Sequence, residues 1–187
     1  MRRLPAIVVV LFALAAGAAG GRVHAQAQAP SPHAVKAAFV FNVLNFVEWP
    51  AASLPGGGAP LRVAVLASKA QPEFASALQG KVVRGHPLTV ETFDSIERID
   101  SPHVVIVTTD LLPQLRPMLK QVAGRPVLTI AEQNPVDPIE AVMAIGVVQA
   151  RLAFGVNLDV ADAIGLQMSP NLLKLAKQVV GTRARAR

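Results

Sequence analysis

The side chains able to do chemistry are few in this chain, and they do not gather. Its four histidines, His24, His33, His86 and His103, are spread along the 187 residues. No two of them stand at the H-x-x-x-H type of spacing by which one helix aims two imidazoles at a metal ion. Cysteine is absent, which removes thiol nucleophiles, thiolate metal sites, disulfides and redox sensing by the chain's own thiols. No G-x-G-x-x-G or Walker pattern follows a predicted strand. Gly56-Gly57-Gly58 comes before the first predicted strand, so its amides do not open a phosphate-holding helix, and it reads as loop. A G-x-S-x-G nucleophile elbow is missing too. No catalytic residue, metal ligand set or cofactor is therefore expected, and the expected class is a binding protein rather than an enzyme.

Carboxylates offer little more. Asp94, Glu97 and Asp100 flank Arg98 in a surface-like stretch, while Glu132 stands at the start of, and Asp137 and Glu140 within, the proline-broken loop QNPVDPIE. That loop reads as ordinary exposed chain, with a binding site as the alternative, because loops carry function. The strongest local signal is aromatic: Phe39, Phe41, Phe46 and the single tryptophan, Trp49, lie within eleven residues. The phenylalanines are expected in the core. Trp49, beside Pro50, fits core and interface equally, since interface anchors are rich in tryptophan. Phe46, Glu48 and Trp49 are the residues expected near a partner. A small-molecule site is the alternative, with Thr108, Thr109 and Asp110 in the crevice that opens at strand ends of α/β sheets. Arg151 and Asn157 would support a hairpin or that ligand.

The elements that must position these residues alternate. His33 to Trp49 reads as one helix, apolar nearly all round and closed by Pro50. Strands are predicted at Leu61–Ala67, Pro87–Thr92, His103–Thr109 and Val127–Ala131. Val104 to Val107 is continuously apolar and β-branched or isoleucine-like, as suits a central strand covered on both faces. Helices are predicted at Gln71–Gln79 and, N-capped by Asp110 and kinked by Pro117, at Leu111–Ala123. Val142–Val148 and Arg151–Asn157 read as antiparallel strands, although Gln149-Ala150 is poor chemistry for a two-residue turn and leaves their register open. A short helix at Asp159–Ile164 precedes a last helix that starts at Ser169-Pro170, with Leu172, Leu175, Ala176, Val179 and Val180 as its apolar stripe. The expected fold class is α/β: a mostly parallel sheet flanked by helices, with an antiparallel hairpin near the C-terminus.

Arg2-Arg3, the uncharged run Leu4 to Ala19 and Val23-His24-Ala25 have the layout of a cleaved secretory signal peptide. The run is short for a membrane span, which needs about 20 residues. The predicted organisation is residues 1–25 as signal, 26–32 as linker, 33–181 as one domain and 182–187 as a basic tail. Arg2, Arg3 and Arg22 leave with the signal, so a net charge of +6 falls to +3. Arg183, Arg185 and Arg187 sit in the tail, so the body is near neutral and no nucleic-acid footprint is indicated. The tail itself reads as a solvated end rather than a lipid or phosphate contact.

Seven blocks in order carry a resemblance: Lys36 to Pro50, Leu61 to Leu66, Leu78 to Val90, His103 to Val107, Gly124 to Ile130, Arg151 to Leu158 and Ser169 to Val179. Together they resemble the YfiR family of periplasmic domains. The resemblance implies a repressor that contacts the periplasmic sensing domain of an inner-membrane diguanylate cyclase and so restrains cyclic-di-GMP synthesis and biofilm formation. A sensor module for another membrane signalling protein is the variant reading. Membrane contact would come only through that partner, and a homodimer is compatible with it. Two departures stand out. Pro102 occupies a position where relatives often carry cysteine, and Ile139-Glu140-Ala141 stands where they tend to have a glycine pair. Thiol-based control does not carry over to this chain.

Overall fold

A computed structural model describes residues 31–182; the predicted signal, most of the linker and the arginine tail lie outside them. Five helices and ten strands follow in order: α1 (Pro32–Leu44), β1 (Val47–Glu48), β2 (Leu61–Leu66), α2 (Pro72–Leu78), β3 (Val82–Val83), β4 (His86–Phe93), β5 (Val104–Val107), α3 (Leu115–Gln121), β6 (Leu128–Glu132), β7 (Met143–Val148), β8 (Arg151–Asn157), α4 (Leu158–Ala163), β9 (Gln167–Met168), α5 (Pro170–Leu173) and β10 (Gln178–Val180). Eight strands form one sheet in the order β10-β8-β7-β6-β5-β2-β4-β3, and β1 pairs with β9 in a separate small ribbon. From β4 to β7 the sheet is parallel, β8 returns antiparallel to β7, and β10 lies parallel to β8. The predicted α/β class holds, with the hairpin where it was expected.

The alternation of side chains splits the core into two layers. Val63, Val65, Val104, Ile106, Leu128 and Ile130 pack beneath α1, α2 and α4. Ala64, Leu66, Val105, Val107 and Ala131 meet α3 on the opposite face. This is why Val104 to Val107 is apolar throughout: every residue of β5 is buried, whichever way it points.

Three predicted elements need correction. The first helix stops at Leu44, five residues before Trp49. Asn45 caps it by donating from Nδ2 to the Phe41 carbonyl (2.9 Å), and Val47-Glu48 leave to pair with Met168-Gln167. The predicted helix over Leu111–Ala123 is broken upstream of Pro117: a 3-10 segment spans Thr109–Gln114, and α3 begins at Leu115. Pro117 sits in the first turn of α3, where a missing N–H costs nothing. Asp110 is no N-cap; its carboxylate turns to Ser68 and Thr108.

The last helix is the largest correction. It lasts only from Pro170 to Leu173, and Gln178–Val180 join the sheet as β10. The stripe dissolves accordingly: Leu172 is buried, whereas Leu175 is 74% exposed. An open edge on β8 explains the outcome, because pairing Val179 and Val180 there satisfies backbone groups and half-buries two β-branched residues.

The hairpin register is settled despite its turn. Val148 pairs with Arg151, and Gln149 and Ala150 both take positive φ (50° and 59°), as a type I′ turn demands. The cost of about 1–2 kcal/mol for each left-handed non-glycine residue is offset by six paired positions along β7 and β8. Two glycines let the 133–139 loop lie across this hairpin. A Cβ on Gly146 would come 2.4 Å from the Gln133 carbonyl oxygen, and one on Gly155 2.5 Å from that of Pro135.

Candidate partner-binding surface

The end of α1 delivers the aromatic segment to two environments. Trp49 goes inward and is 6% exposed among the buried residues beneath α1; its indole Nε1 has no hydrogen-bond partner among the described residues. Phe46 goes outward and is 40% exposed, its carbonyl accepting from Ser169 N at 3.0 Å. Glu48 is exposed and pairs with Arg84 at 2.9 Å, while Arg84 Nε donates to the Val47 carbonyl at 2.8 Å. Arg84 sits at φ 51° in the turn between β3 and β4, a left-handed position that aims it back across β1. Lys81, just before β3, lies over the half-buried Phe41 ring, 4.6 Å from its centroid. Sequence reasoning missed Arg84 and Lys81, which are more than 30 residues from the segment they flank. At the surface here are the exposed Phe46, the Arg84–Glu48 pair two residues further on, and Phe41 covered by Lys81.

The ends of the parallel strands are arranged differently. Thr108 is buried, and its hydroxyl donates to the Leu66 carbonyl and toward Asp110. Asp110 in turn accepts from the Ser68 amide (2.8 Å) and the Ser68 hydroxyl. The Ser68 hydroxyl, then the Thr108 hydroxyl, holds the Asp110 carboxyl down at about 2. Thr109 donates to the Glu132 carbonyl at 3.1 Å. The structure thus brings Thr108, Thr109 and Asp110 together, but they bond to Leu66, Ser68, Glu132 and one another. Beside them Glu132 is 3% exposed and meets Lys36 of α1 at 3.0 Å, its second oxygen unpartnered among the described residues.

Arg151 and Asn157 sit at opposite ends of β8. Arg151 is exposed at the hairpin turn. Asn157 caps α4 by accepting from Val160 N (3.2 Å) and donates to the Ile139 carbonyl (2.6 Å), so it ties the 133–139 loop to the hairpin. In that loop Asn134 donates to Asp137, and Glu140 meets Arg116 through both its oxygens, which lowers the Glu140 carboxyl below its usual range. Glu132, Asp137 and Glu140 therefore have separate partners and do not converge.

At the other end of the strands, His103 Nδ1 accepts from the Arg62 amide at 3.0 Å, which requires that nitrogen to be unprotonated. Burial lowers the His103 pKa, and the Arg62 guanidinium and His86 add to the shift. His86 Nδ1 lies 2.9 Å from the Ala59 carbonyl oxygen. No group of three or more metal-ligating side chains occurs among the described residues.

Taken together, fold and surface define an α/β module whose polar groups mostly hold its own strands together and which offers an aromatic face edged by charge. Residues 33–177 match the YfiR/HmsC-like family (DUF4154), and the chain belongs to that family. It is a family of periplasmic regulators acting on diguanylate cyclase signalling. No curated protein matches the chain at a significant level.

Proposed function

We propose that this protein is a periplasmic repressor that holds an inner-membrane diguanylate cyclase in its less active state by direct contact and without turnover. The family match supports the regulatory role. The observation that carries the contact is the outward face at the end of α1, where Phe46 stands exposed beside the Arg84–Glu48 pair. Trp49 serves this face from behind, as the buried residue against which β1 is set. Repression of this kind is a difference in affinity for two states of the cyclase. Moving it from 1:99 to 99:1 requires about 5.5 kcal/mol of preference, within reach of a standard interface of roughly 1,600 Å² in total. With no cysteine in the chain, release is by a signal other than its own thiols.

The test is a pull-down of the cyclase periplasmic domain with Phe46→Asp and Arg84→Glu, alongside cyclic-di-GMP levels in cells. Phe46→Asp changes an exposed side chain and is expected to melt like the wild type, whereas Arg84→Glu also gives up the bonds to Glu48 and the Val47 carbonyl and should melt somewhat lower; both should bind at least about tenfold more weakly and raise cyclic-di-GMP. Undiminished capture by both would remove the proposed contact. The small-molecule reading has less support, because the three residues it relies on, Thr108, Thr109 and Asp110, are engaged with their neighbours.

A further inference from the structure

β4 runs from His86 to Phe93, yet its outer side is covered only at the start. β3 pairs with His86 and Pro87 alone. The chain leading into β3 reaches one residue further: Leu88 N donates to the Lys81 carbonyl at 2.7 Å, and the Leu88 carbonyl accepts from Gly80 N at 2.9 Å. Beyond Leu88, no described strand lies outside β4. On its inner side β4 pairs with β2 at six consecutive positions, and the Phe93 carbonyl accepts from Ala67 N. Backbone groups along a strand face its two neighbours alternately. Thr89, Glu91 and Phe93 therefore turn theirs to β2, while Val90 and Thr92 turn theirs outward.

These outward groups are placed as if a neighbouring strand were missing. The Val90 amide donates to the Gln79 side-chain oxygen at 2.8 Å, so a side chain stands where a strand carbonyl would be. The Val90 carbonyl and both backbone groups of Thr92 have no strand partner among the described residues on this side. Sheet edges are commonly blunted by lysine, proline, a bulge or a covering element. Here Pro87 lies in the stretch that β3 already covers, and the six pairs with β2 skip no residue. The open stretch, Val90-Glu91-Thr92-Phe93, consists of three good strand formers and one acid.

We propose that the outer edge of β4 at Val90–Phe93 is a docking site for an extended segment of a partner protein, which adds a strand there and carries a lysine or arginine opposite Glu91. Strand addition draws affinity from main-chain bonds and specificity from alternate side chains, and Glu91 supplies the specificity. It is exposed and in no ion pair with a described residue. Its acidic neighbours are already matched, Asp94 with Arg98 at 3.1 Å and Asp100 with Arg62 at 3.7 Å. Glu91 and Phe93 line one shallow cleft with Arg62, Ala64, Thr89 and Ile99. An arriving strand sets one side chain opposite Glu91 and another, two residues away, opposite Phe93 on the same face. A cation at the first position and an apolar residue at the second complete the match. A second copy fits less well, because two such edges paired antiparallel about their middle would set Glu91 against Glu91. The proposal goes beyond the contact with a cyclase and does not depend on it.

The experiment follows the backbone amides of isotope-labelled full chain by NMR during titration with the peptide acetyl-Thr-Val-Thr-Lys-Thr-Val-amide. Signals of Val90 to Phe93 should shift, and the Thr92 amide should exchange more slowly with solvent. N-methylation of the two threonines flanking the lysine removes the donors that face the edge and should weaken binding at least about tenfold. Glutamate in place of that lysine should weaken it by up to about fivefold, and Glu91→Lys should reverse the preference. Thr92→Pro removes an outward N–H and no bond to β2, so it should melt like the wild type and bind about tenfold more weakly or worse. Gln79→Ala frees the Val90 amide and should tighten binding severalfold. Unmoved Val90–Phe93 signals, equal binding of the N-methylated peptide, or indifference to the lysine would overturn the proposal. So would a dimer of the free protein that Thr92→Pro dissolves, which would give the edge to a second copy. Phe46→Asp should bind the peptide like the wild type, so failure at this edge is distinguishable from failure at the Phe46 surface.

Discussion

The two ends of the parallel sheet treat polar groups in opposite ways. At the C-terminal ends of β2, β5 and β6, where α/β proteins commonly open a ligand crevice, Ser68, Thr108, Thr109, Asp110, Glu132 and Lys36 bond to one another and to strand carbonyls. At the N-terminal ends, Arg62, His86, His103 and Asp100 are joined more loosely: the Arg62–Asp100 pair is 3.7 Å apart and largely exposed. The difference teaches that a polar cluster at the expected place for a site can be structural closure. The end without a conventional site holds His103, whose Nδ1 must be free of a proton to accept from the Arg62 amide.

Three experiments sharpen or break this contrast. The largest effect is expected from Lys36→Met, which leaves the buried Glu132 without its cationic partner; such a loss costs about 3–5 kcal/mol. Urea unfolding should show it, and adding Glu132→Gln should restore much of the stability. If Lys36→Met unfolds like the wild type, the closed end is wet and loosely held.

The second concerns His103. Burial disfavours its charged form, so the folded protein binds that proton less readily than the unfolded chain does. Stability should be full above the ordinary histidine value of 6.5 and decline as pH falls below it, as protonation removes the acceptor for the Arg62 amide. One hydrogen bond of this kind is worth about 1 kcal/mol. Denaturation midpoints measured at neutral pH and at about pH 5 should converge in His103→Gln; an unchanged pH slope in that variant would show the imidazole is free to protonate.

The smallest effect belongs to Asp110. Its lowered pKa means that it contributes above the ordinary carboxyl value of 3.8 and loses that contribution as pH falls toward about 2. The group is largely exposed, so screening reduces its contribution to below about 1 kcal/mol. Asp110→Asn should flatten the acid limb of the stability curve between those values, costing that small amount at neutral pH and nothing near pH 2.

The parts of the fold legible in the sequence are those decided within a few residues. Val104–Val107 announces a doubly covered strand because both faces must be apolar, and Leu152, Phe154 and Val156 mark β8 by alternation. Of the aromatic cluster, the sequence points the phenylalanines to the core. The structure half-buries Phe39 and Phe41, with Phe39 against Phe154 at 5.3 Å between ring centroids, and leaves Phe46 at the surface. Trp49 was evenly balanced in the sequence because nothing near Pro50 states what lies above it; its burial depends on the core beneath α1, built largely from strands later in the chain. Arg84 and Lys81 could not be attached to the aromatic segment at all, since a turn and a strand pair bring them there.

By itself the sequence determined the absence of thiol chemistry, the near-neutral body with its basic end, and the succession of apolar strands that makes an α/β sheet inevitable. Periodicity and composition act locally, and these properties need no knowledge of distant neighbours. Only the tertiary structure decided that the residues after Leu173 become an edge strand rather than a helix, that Lys36 finds Glu132 across 96 positions, and that Leu175 is left in solvent. Each of those outcomes depends on which backbone edge or buried charge is waiting elsewhere. The free energy of pairing with it exceeds the small local preferences that a single stretch of sequence can express.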